Sequence, residues 1–278
     1  MAAVLALALY GLKPGIDFTG GTLTQLKFET PRTSAEIAEA VSAAGIENPL
    51  VQPSDEGSVI IRTGPMEKEQ HDKMVAALRE RFGNVTEETF TSIGPVIGRE
   101  LTRNAIWQLL LVSAGIIFYI AYAFRKVQKP VSSWKFSWSA IIALLHDLFI
   151  VLGVFAILGH FRGVEVDGLF ITALLTVLGF SVHDTIVVFD RIRENLRTHA
   201  GESLPSVINS SINQTLVRSI NTTLTVVFVL LALLLFGGES IRFFVLALLI
   251  GIIAGTYSSI FIASPILMVW QQWQQRRA

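Results

Sequence analysis

The sequence contains no cysteine, which excludes disulfide bonds and thiolate metal sites. Charge is also scarce, because 16% of the 278 residues are Asp, Glu, Lys or Arg, against about 25% in an ordinary soluble domain. The 22 basic and 22 acidic residues balance, so no basic excess points to a nucleic-acid partner. What the chain has in abundance is apolar side chains, which make up 51% of its residues.

The apolar residues are concentrated in long runs, which predicts membrane-spanning helices rather than one large soluble core. Five runs approach or exceed the length of about 17 to 25 residues that a bilayer requires. They are Asn104 to Phe124, Phe136 to Leu158, Gly168 to Phe189, Ile220 to Phe236 and Ile241 to Val269, the last ending near Pro265. A further run, Ala2 to Leu12, is too short to span alone. We interpret it as a partial first span, either truncated or begun upstream in a longer or fused chain.

Residues 13–100 have the character of a small folded domain. Alternating residues predict strands at Leu23 to Glu29, Ser58 to Thr63 and Val85 to Ser92, and helical periodicity predicts helices at Ala35 to Ala44 and Glu67 to Phe82. This order suggests an α+β sandwich with its helices on one face of a sheet. The predicted organisation is therefore a partial span at 1–12, an α+β domain at 13–100 and a five-helix transmembrane domain at 101–278.

Basic residues predict the orientation of the spans. They cluster in alternate loops and after the last span, at Arg125, Lys126, Lys129, Lys135, Arg191, Arg193, Arg197, Arg218, Arg276 and Arg277. Loops rich in Lys and Arg stay on the cytoplasmic side. Both termini are therefore expected in the cytoplasm, and the α+β domain outside it. The segment Ser203 to Val217 is predicted to be an amphipathic helix along the cytoplasmic surface.

An acidic residue, Asp184, lies within the fourth apolar run. A charged side chain in a membrane is costly, so it is expected to face a bundle interior or a hydrated cavity. One interpretation is a carboxyl group that gains and loses a proton, with burial favouring the acid and a nearby cation favouring the carboxylate. The other is a static acid that only fixes helix packing.

Arg218, at the start of the fifth span, is the predicted partner of Asp184. On a helix it shares a face with Gln214, Asn221, Thr222 and Thr225, and such a polar stripe should face protein or water rather than lipid. The competing interpretation is an arginine that extends its side chain to the cytoplasmic boundary.

Two His-Asp pairs occur inside spans, His146-Asp147 and His183-Asp184. Asp147 could be a second relay carboxyl group or an interhelical hydrogen-bonding residue. His183 could relay protons, because its unperturbed pKa is near 6.5, or be a neutral histidine that donates one hydrogen bond. The spacing matches no compact ligand motif, so we predict no metal. We also predict no cofactor and no enzymatic activity, because no nucleophile–histidine set is sensibly placed.

Small residues recur every fourth position in the last span. They are Ala247, Gly251, Gly255, Ser259 and Ala263. Such a stripe allows a second helix to approach closely. We interpret Gly251, Gly255 and Ser259 as helix-packing positions, within the chain or against a partner subunit.

Several long strings in this chain resemble the SecF family of bacterial protein-export membrane proteins. They are GIDFTGGTLTQLKF (15–28), LLHDLFIVLGVF (144–155), GFSVHDTIVVFDRIRENLR (179–197) and SINQTLVRSINTTLT (211–225). The resemblance covers essentially the whole chain in order. One departure is His183, where the family motif usually has asparagine.

The resemblance implies six spans and one ferredoxin-like extracytoplasmic domain. It implies pairing with SecD, or a fused SecD–SecF chain, and membership of the resistance–nodulation–division superfamily. Such proteins assist the SecY–SecE–SecG channel in moving a secretory polypeptide, driven by proton flow. Asp184 and Arg218 match the proton-pathway positions of the family. We therefore expect a proton-coupled export subunit in the bacterial cytoplasmic membrane.

Two other functions are compatible with the residues. A proton-coupled small-molecule efflux subunit of the same superfamily would need a substrate pocket, for which about 80 outer residues leave little room. A purely structural scaffold of the export channel would tolerate the loss of Asp184 and Arg218.

Overall fold

A computed structural model describes residues 1–54, 57–125, 132–198 and 201–275. The chain forms two compact units, one of Pro14–Ala105 and one of Met1–Lys13 with the chain from Ile106 onward. In chain order the elements are α1 (Ala2–Tyr10), α2 (Ile16–Thr19), β1 (Gly21–Phe28), α3 (Ser34–Ala43), β2 (Leu50–Pro53), β3 (Ser58–Thr63), α4 (Lys68–Phe82), β4 (Val85–Ile93), α5 (Pro95–Ala123), α6 (Ser133–Arg162), α7 (Gly168–Thr198), α8 (Leu204–Phe236), α9 (Glu239–Ser258), a π-helical turn (Ser259–Ala263) and α10 (Ser264–Gln275). The predicted basic residues Lys126, Lys129, Arg276 and Arg277 lie outside the described residues.

The smaller unit contains one antiparallel sheet in the order β2-β3-β1-β4. Strand β1 alternates in burial because every second side chain points to the same face. Its buried face meets apolar residues of α3 and α4, in a core that includes Leu26, Ile37, Ile61 and Leu78. The three predicted strands and two predicted helices all form, with small changes at their ends.

The strand β2 is absent from the sequence-based prediction. It has four residues, ends in Pro53 and lies at an edge of the sheet. Proline lacks an N–H donor and is tolerated at strand ends and edges. Two of the four residues are exposed, so the segment carries no clear alternation by which to recognise it.

Helix α3 begins with a capping box in which Thr33 and Glu36 bond each other's backbone. The Thr33 N–H donates to Glu36 Oε2 at 3.1 Å, and the Glu36 N–H donates to Thr33 Oγ1 at 3.3 Å. The first bond lowers the pKa of Glu36 below its ordinary value of 4.5, with further lowering by the Thr33 side chain and by Arg32 and Arg81.

We expect Thr33→Ala to loosen the start of α3 by about 1 kcal/mol, a typical value for losing a helix cap. Faster amide exchange at residues 34–37 of the full chain would report this loss. Because the pKa of Glu36 is lowered on folding, ionised Glu36 stabilises α3 above pH 4.5, and this stabilisation is lost as the pH falls through the folded-state pKa. Unchanged exchange rates in the variant would contradict a role for the cap.

Five helices of the described chain are long and apolar enough to cross a membrane. They correspond to the five predicted spans, so the chain is a multi-pass membrane protein. The short α1 is not among them; it packs against α6, where a Cβ at Gly153 would lie 2.5 Å from the Ala3 carbonyl oxygen.

Two predictions about the last spans are wrong. Ser203 to Val217 does not form a separate surface helix, because α8 runs unbroken from Leu204 to Phe236. Pro205 stands in the first helical turn, where proline is tolerated, and no later proline or glycine interrupts the helix.

The last span does not end at Pro265 either. Proline lacks an N–H and clashes with the carbonyl four residues before it in a regular helix. Here a π-helical turn at Ser259–Ala263 precedes Pro265, and the chain continues in α10 to Gln275. The hydroxyl of Ser264 also donates to the Ser259 carbonyl at 3.1 Å.

Candidate functional site

Helix α9 packs against α6, α7 and α8 and places small residues where α7 approaches closely. A Cβ built on Gly251 would lie 2.3 Å from Val177 Cγ2, and one on Gly255 would lie 2.9 Å from Ser181 Cβ. A side chain could not be added at either glycine unless the neighbouring atoms of α7 moved. The small-residue stripe therefore faces α7 of the same chain, which allows short side chains on the two helices to meet.

Asp184 is enclosed among α7, α8 and the π-helical turn that follows α9, with 6% of its surface exposed. Ser219 on α8 donates a hydrogen bond to Asp184 Oδ1 at 2.7 Å, and Ser259 donates to Oδ2 at 2.5 Å. Both donors are buried. Each carboxylate oxygen thus has a neutral hydroxyl partner, which stabilises negative charge without cancelling it.

Asp147 forms a second buried group near the middle of α6 and is fully enclosed. Its Oδ2 accepts hydrogen bonds from Ser181 at 2.6 Å and Ser258 at 2.7 Å. The neighbouring His146 Nδ1 lies 3.0 Å from Asp147 Oδ1. Asp147 therefore connects three elements, α6, α7 and α9, by polar contacts in an apolar interior.

Arg218 does not contact Asp184 as predicted. In the described part of the chain, the partners of the Asp184 carboxylate are Ser219 and Ser259, and Arg218 is exposed. Successive residues on an α-helix point about 100° apart. When Ser219 faces Asp184, the preceding arginine must point away from it.

The other predicted polar residues on α8 also lie off the buried face. The Thr222 and Thr225 hydroxyls donate to carbonyls one turn back in α8, and both residues are exposed. The buried face consists instead of residues spaced by four, Ser211, Thr215, Ser219 and Thr223. This spacing is visible in the sequence and could have identified Ser219.

His183 is exposed, whereas the neighbouring Asp184 on α7 is buried. The two residues differ in exposure because adjacent side chains on a helix point about 100° apart. By contrast, Ser181, Ser258 and Ser259 are buried and bond the two aspartates. Of these three, sequence reasoning identified only Ser259, and only as a packing residue.

The two enclosed carboxyl groups are held by hydroxyl groups, and neither has a permanently charged cation as partner among the described residues. We call Asp147, Asp184, Ser181, Ser219, Ser258 and Ser259 the carboxylate cluster. The fold and this cluster define a multi-pass membrane protein with ionisable groups inside its helix bundle.

Comparisons with known proteins identify the family. The family described as protein export membrane protein SecD/SecF, C-terminal, matches residues 73–273, and the SecD/SecF GG motif matches residues 5–31. The protein translocase subunit SecF of Thermobaculum terrenum is 50% identical over 277 residues, which cover 95% of this chain and 86% of that protein. The SecF of Synechocystis is 40% identical, with 94% and 84% covered.

Larger relatives contain the same region. The SecDF of Bacillus subtilis is 34% identical, over 98% of this chain and 36% of its own length. A crystal structure of SecDF from Thermus thermophilus, described as a translocon-associated membrane protein, matches with a TM-score of 0.85 at 33% identity, again covering 98% of this chain and 36% of that one. The chain belongs to the SecD/SecF family of protein-export membrane proteins, and the efflux alternative is not favoured.

Proposed function

We propose that this chain is a SecF-type subunit that couples proton movement across the bacterial cytoplasmic membrane to polypeptide translocation. The observation that carries the proposal is the enclosure of Asp184 among α7, α8 and the π-helical turn, where its partners within the described part of the chain are two hydroxyl groups. An intramembrane acid of this kind marks an ion or proton pathway by default. A carboxyl group with neutral donors can change protonation without breaking a permanent ion pair.

The energy of a proton is adequate for a conformational change. A proton that crosses about 100 mV releases about 2.3 kcal/mol, before any pH gradient is added. Two conformations of a protein commonly differ by a few kcal/mol. A few protons are therefore enough to move the bundle between two arrangements of α7, α8 and α9.

Arg218 has a role in the second arrangement. It directly precedes Ser219, which binds Asp184, so a rotation of α8 by about 100° would exchange the serine for the arginine at the carboxylate. Arginine stabilises the ionised form of Asp184, whereas the two serine hydroxyl groups can hydrogen-bond either the ionised or the protonated form. His183, exposed beside Asp184, is available to pass protons to or from it.

The smaller unit supports the proposed extracytoplasmic role. We infer a ferredoxin-like domain, and the βαββαβ order and the sheet order β2-β3-β1-β4 support this inference. We further propose that α1 is part of a first span, so that the chain has six spans and both termini lie in the cytoplasm. The basic residues Arg191, Arg193 and Arg197 at the end of α7 agree with that orientation.

The proposed partners follow from the relatives. SecDF chains are about three times longer than the region matched here, so a SecD half is expected to complete the pathway. The further partners are the SecY–SecE–SecG channel and the secretory polypeptide that emerges from it. We propose no metal, cofactor or nucleic acid for this function.

Membrane vesicles from bacteria depleted of their own SecF test this function. We expect the full chain, supplied with its SecD partner, to restore the proton-gradient-dependent part of the translocation of a secretory precursor. A proton ionophore should remove that gain. Restored dye efflux without restored translocation would instead support a small-molecule transporter.

A further inference from the structure

Two adjacent residues, Ser258 and Ser259, bind two different carboxylates. Ser258 donates to Asp147 on α6 and Ser259 donates to Asp184 on α7. Both serines are fully buried. Because successive helical side chains diverge by about 100°, one short piece of backbone faces both aspartates at once.

Each serine also has a second acceptor on its own helix. Ser258 Oγ lies 3.1 Å from the Gly255 carbonyl, and Ser259 Oγ lies 3.0 Å from the Thr256 carbonyl. A hydroxyl has one proton to donate. Each hydroxyl can therefore donate either to its carboxylate or to its helix, and a charged carboxylate is the stronger acceptor.

The pair stands where α9 becomes the π-helical turn. Ser258 ends α9 and Ser259 begins the turn. Such turns are rare and occur often at functional sites. If one residue moves into or out of the π-helical turn, the side chains of α9 rotate relative to α10. The turn therefore gives Ser258 and Ser259 a way to reorient together.

We propose that Ser258 and Ser259 are positioning residues that link the two carboxylates, so that a change of protonation at Asp184 alters the hydrogen bonding of Asp147. This inference rests on the proposed function, in which Asp184 exchanges a proton. When Asp184 is protonated, Ser259 turns toward the Thr256 carbonyl. The adjacent Ser258 then shifts with the backbone and weakens its bond to Asp147.

The titratable groups around this link are few among the described residues. On α6, His146 lies 3.0 Å from Asp147, and on α9 the ring of Tyr257 lies 6.3 Å from that histidine. His183 on α7 and Arg218 on α8 are exposed. The π-helical turn itself, SIFIA, contains no titratable residue.

Infrared spectroscopy of the full chain in lipid bilayers tests the link, with the Asp147 carboxyl band assigned by its loss in Asp147→Asn. We expect Asp184→Asn to change the proton affinity of Asp147 about tenfold, which is a shift of roughly one pH unit in its titration. In a Ser258→Ala/Ser259→Ala background the same substitution should produce less than half of that shift. If the double variant does not assemble, Ser259→Ala alone removes the hydroxyl that binds Asp184 and should reduce the shift in the same way.

Thr256→Val is the matched control. It removes a buried hydroxyl from the same helix, but that hydroxyl bonds Thr223 at 2.6 Å rather than a carboxylate. The full shift should persist in this control, and Ser259→Thr, which keeps a hydroxyl, should preserve it as well. A full shift in the serine-to-alanine background, or no shift with both serines present, overturns the inference. Failure of the proposed function would appear differently, as export indifferent to the proton gradient while the two carboxyl groups remain linked.

Discussion

Asp184→Asn is expected to abolish the proton-dependent part of polypeptide export while the chain still assembles in the membrane. Asparagine has nearly the same shape; its carbonyl oxygen can accept a hydrogen bond from one of the two serines, Ser219 or Ser259, and its NH2 group can donate to the hydroxyl oxygen of the other. It cannot exchange a proton. Losing about 2.3 kcal/mol of driving energy per proton at about 100 mV corresponds to roughly a 50-fold change in an equilibrium.

The measurement is translocation of a secretory precursor into inverted vesicles with and without a proton ionophore. We expect the ionophore-sensitive fraction in Asp184→Asn to fall below about a tenth of its normal value, on the scale of that driving energy. Asp190→Asn is the matched control, because it makes the same chemical change on α7 at an exposed residue paired with Arg193 at 2.7 Å. Normal ionophore-sensitive export by Asp184→Asn would support a purely structural role for the subunit.

Gly251→Ala is expected to disrupt the bundle itself. The added Cβ would lie 2.3 Å and 2.7 Å from the two γ-carbons of Val177, so α7 and α9 must separate or Val177 must move. Overpacking of this kind costs about 1–3 kcal/mol. Separation of the same helices would also displace Ser259 from Asp184, since the two residues meet on this seam.

Thermal unfolding of the purified chain in detergent measures this effect. Gly179→Ala is the control, because a Cβ at Gly179 would meet no atom within 4 Å. A compensating Val177→Ala removes both γ-carbons and should recover most of the stability of Gly251→Ala. Equal unfolding temperatures for the Gly251 and Gly179 variants would contradict the close α7–α9 contact.

Asp147, Asp184 and the glycines of α9 could be recognised from the sequence because they stand out against apolar runs. A charge is costly in a membrane, and glycine at a fixed spacing leaves a visible stripe. Their partners were harder to recognise. Serine does not stand out in an apolar helix. The predicted buried face of α8 was also wrong by one residue, so the prediction paired Asp184 with Arg218 rather than with Ser219.

Features that depend on local backbone geometry could not be predicted. Pro265 indicated the end of a helix, but the π-helical turn before it allows the helix to continue. The edge strand β2 is too short for its alternation to be recognised. The hydrogen bonds that Ser181 and Ser258 both donate to Asp147 also depend on the approach of three helices, which no single stretch of sequence reveals.

Proton uptake tests the central claim most directly. Vesicles that contain the full chain, its SecD partner and the export channel carry a pH-sensitive dye while a secretory precursor is translocated. We predict precursor-dependent proton flux with Asp184 present and flux at background level with Asp184→Asn. Equal precursor-dependent flux in the two proteins would show that this carboxyl group does not carry the protons.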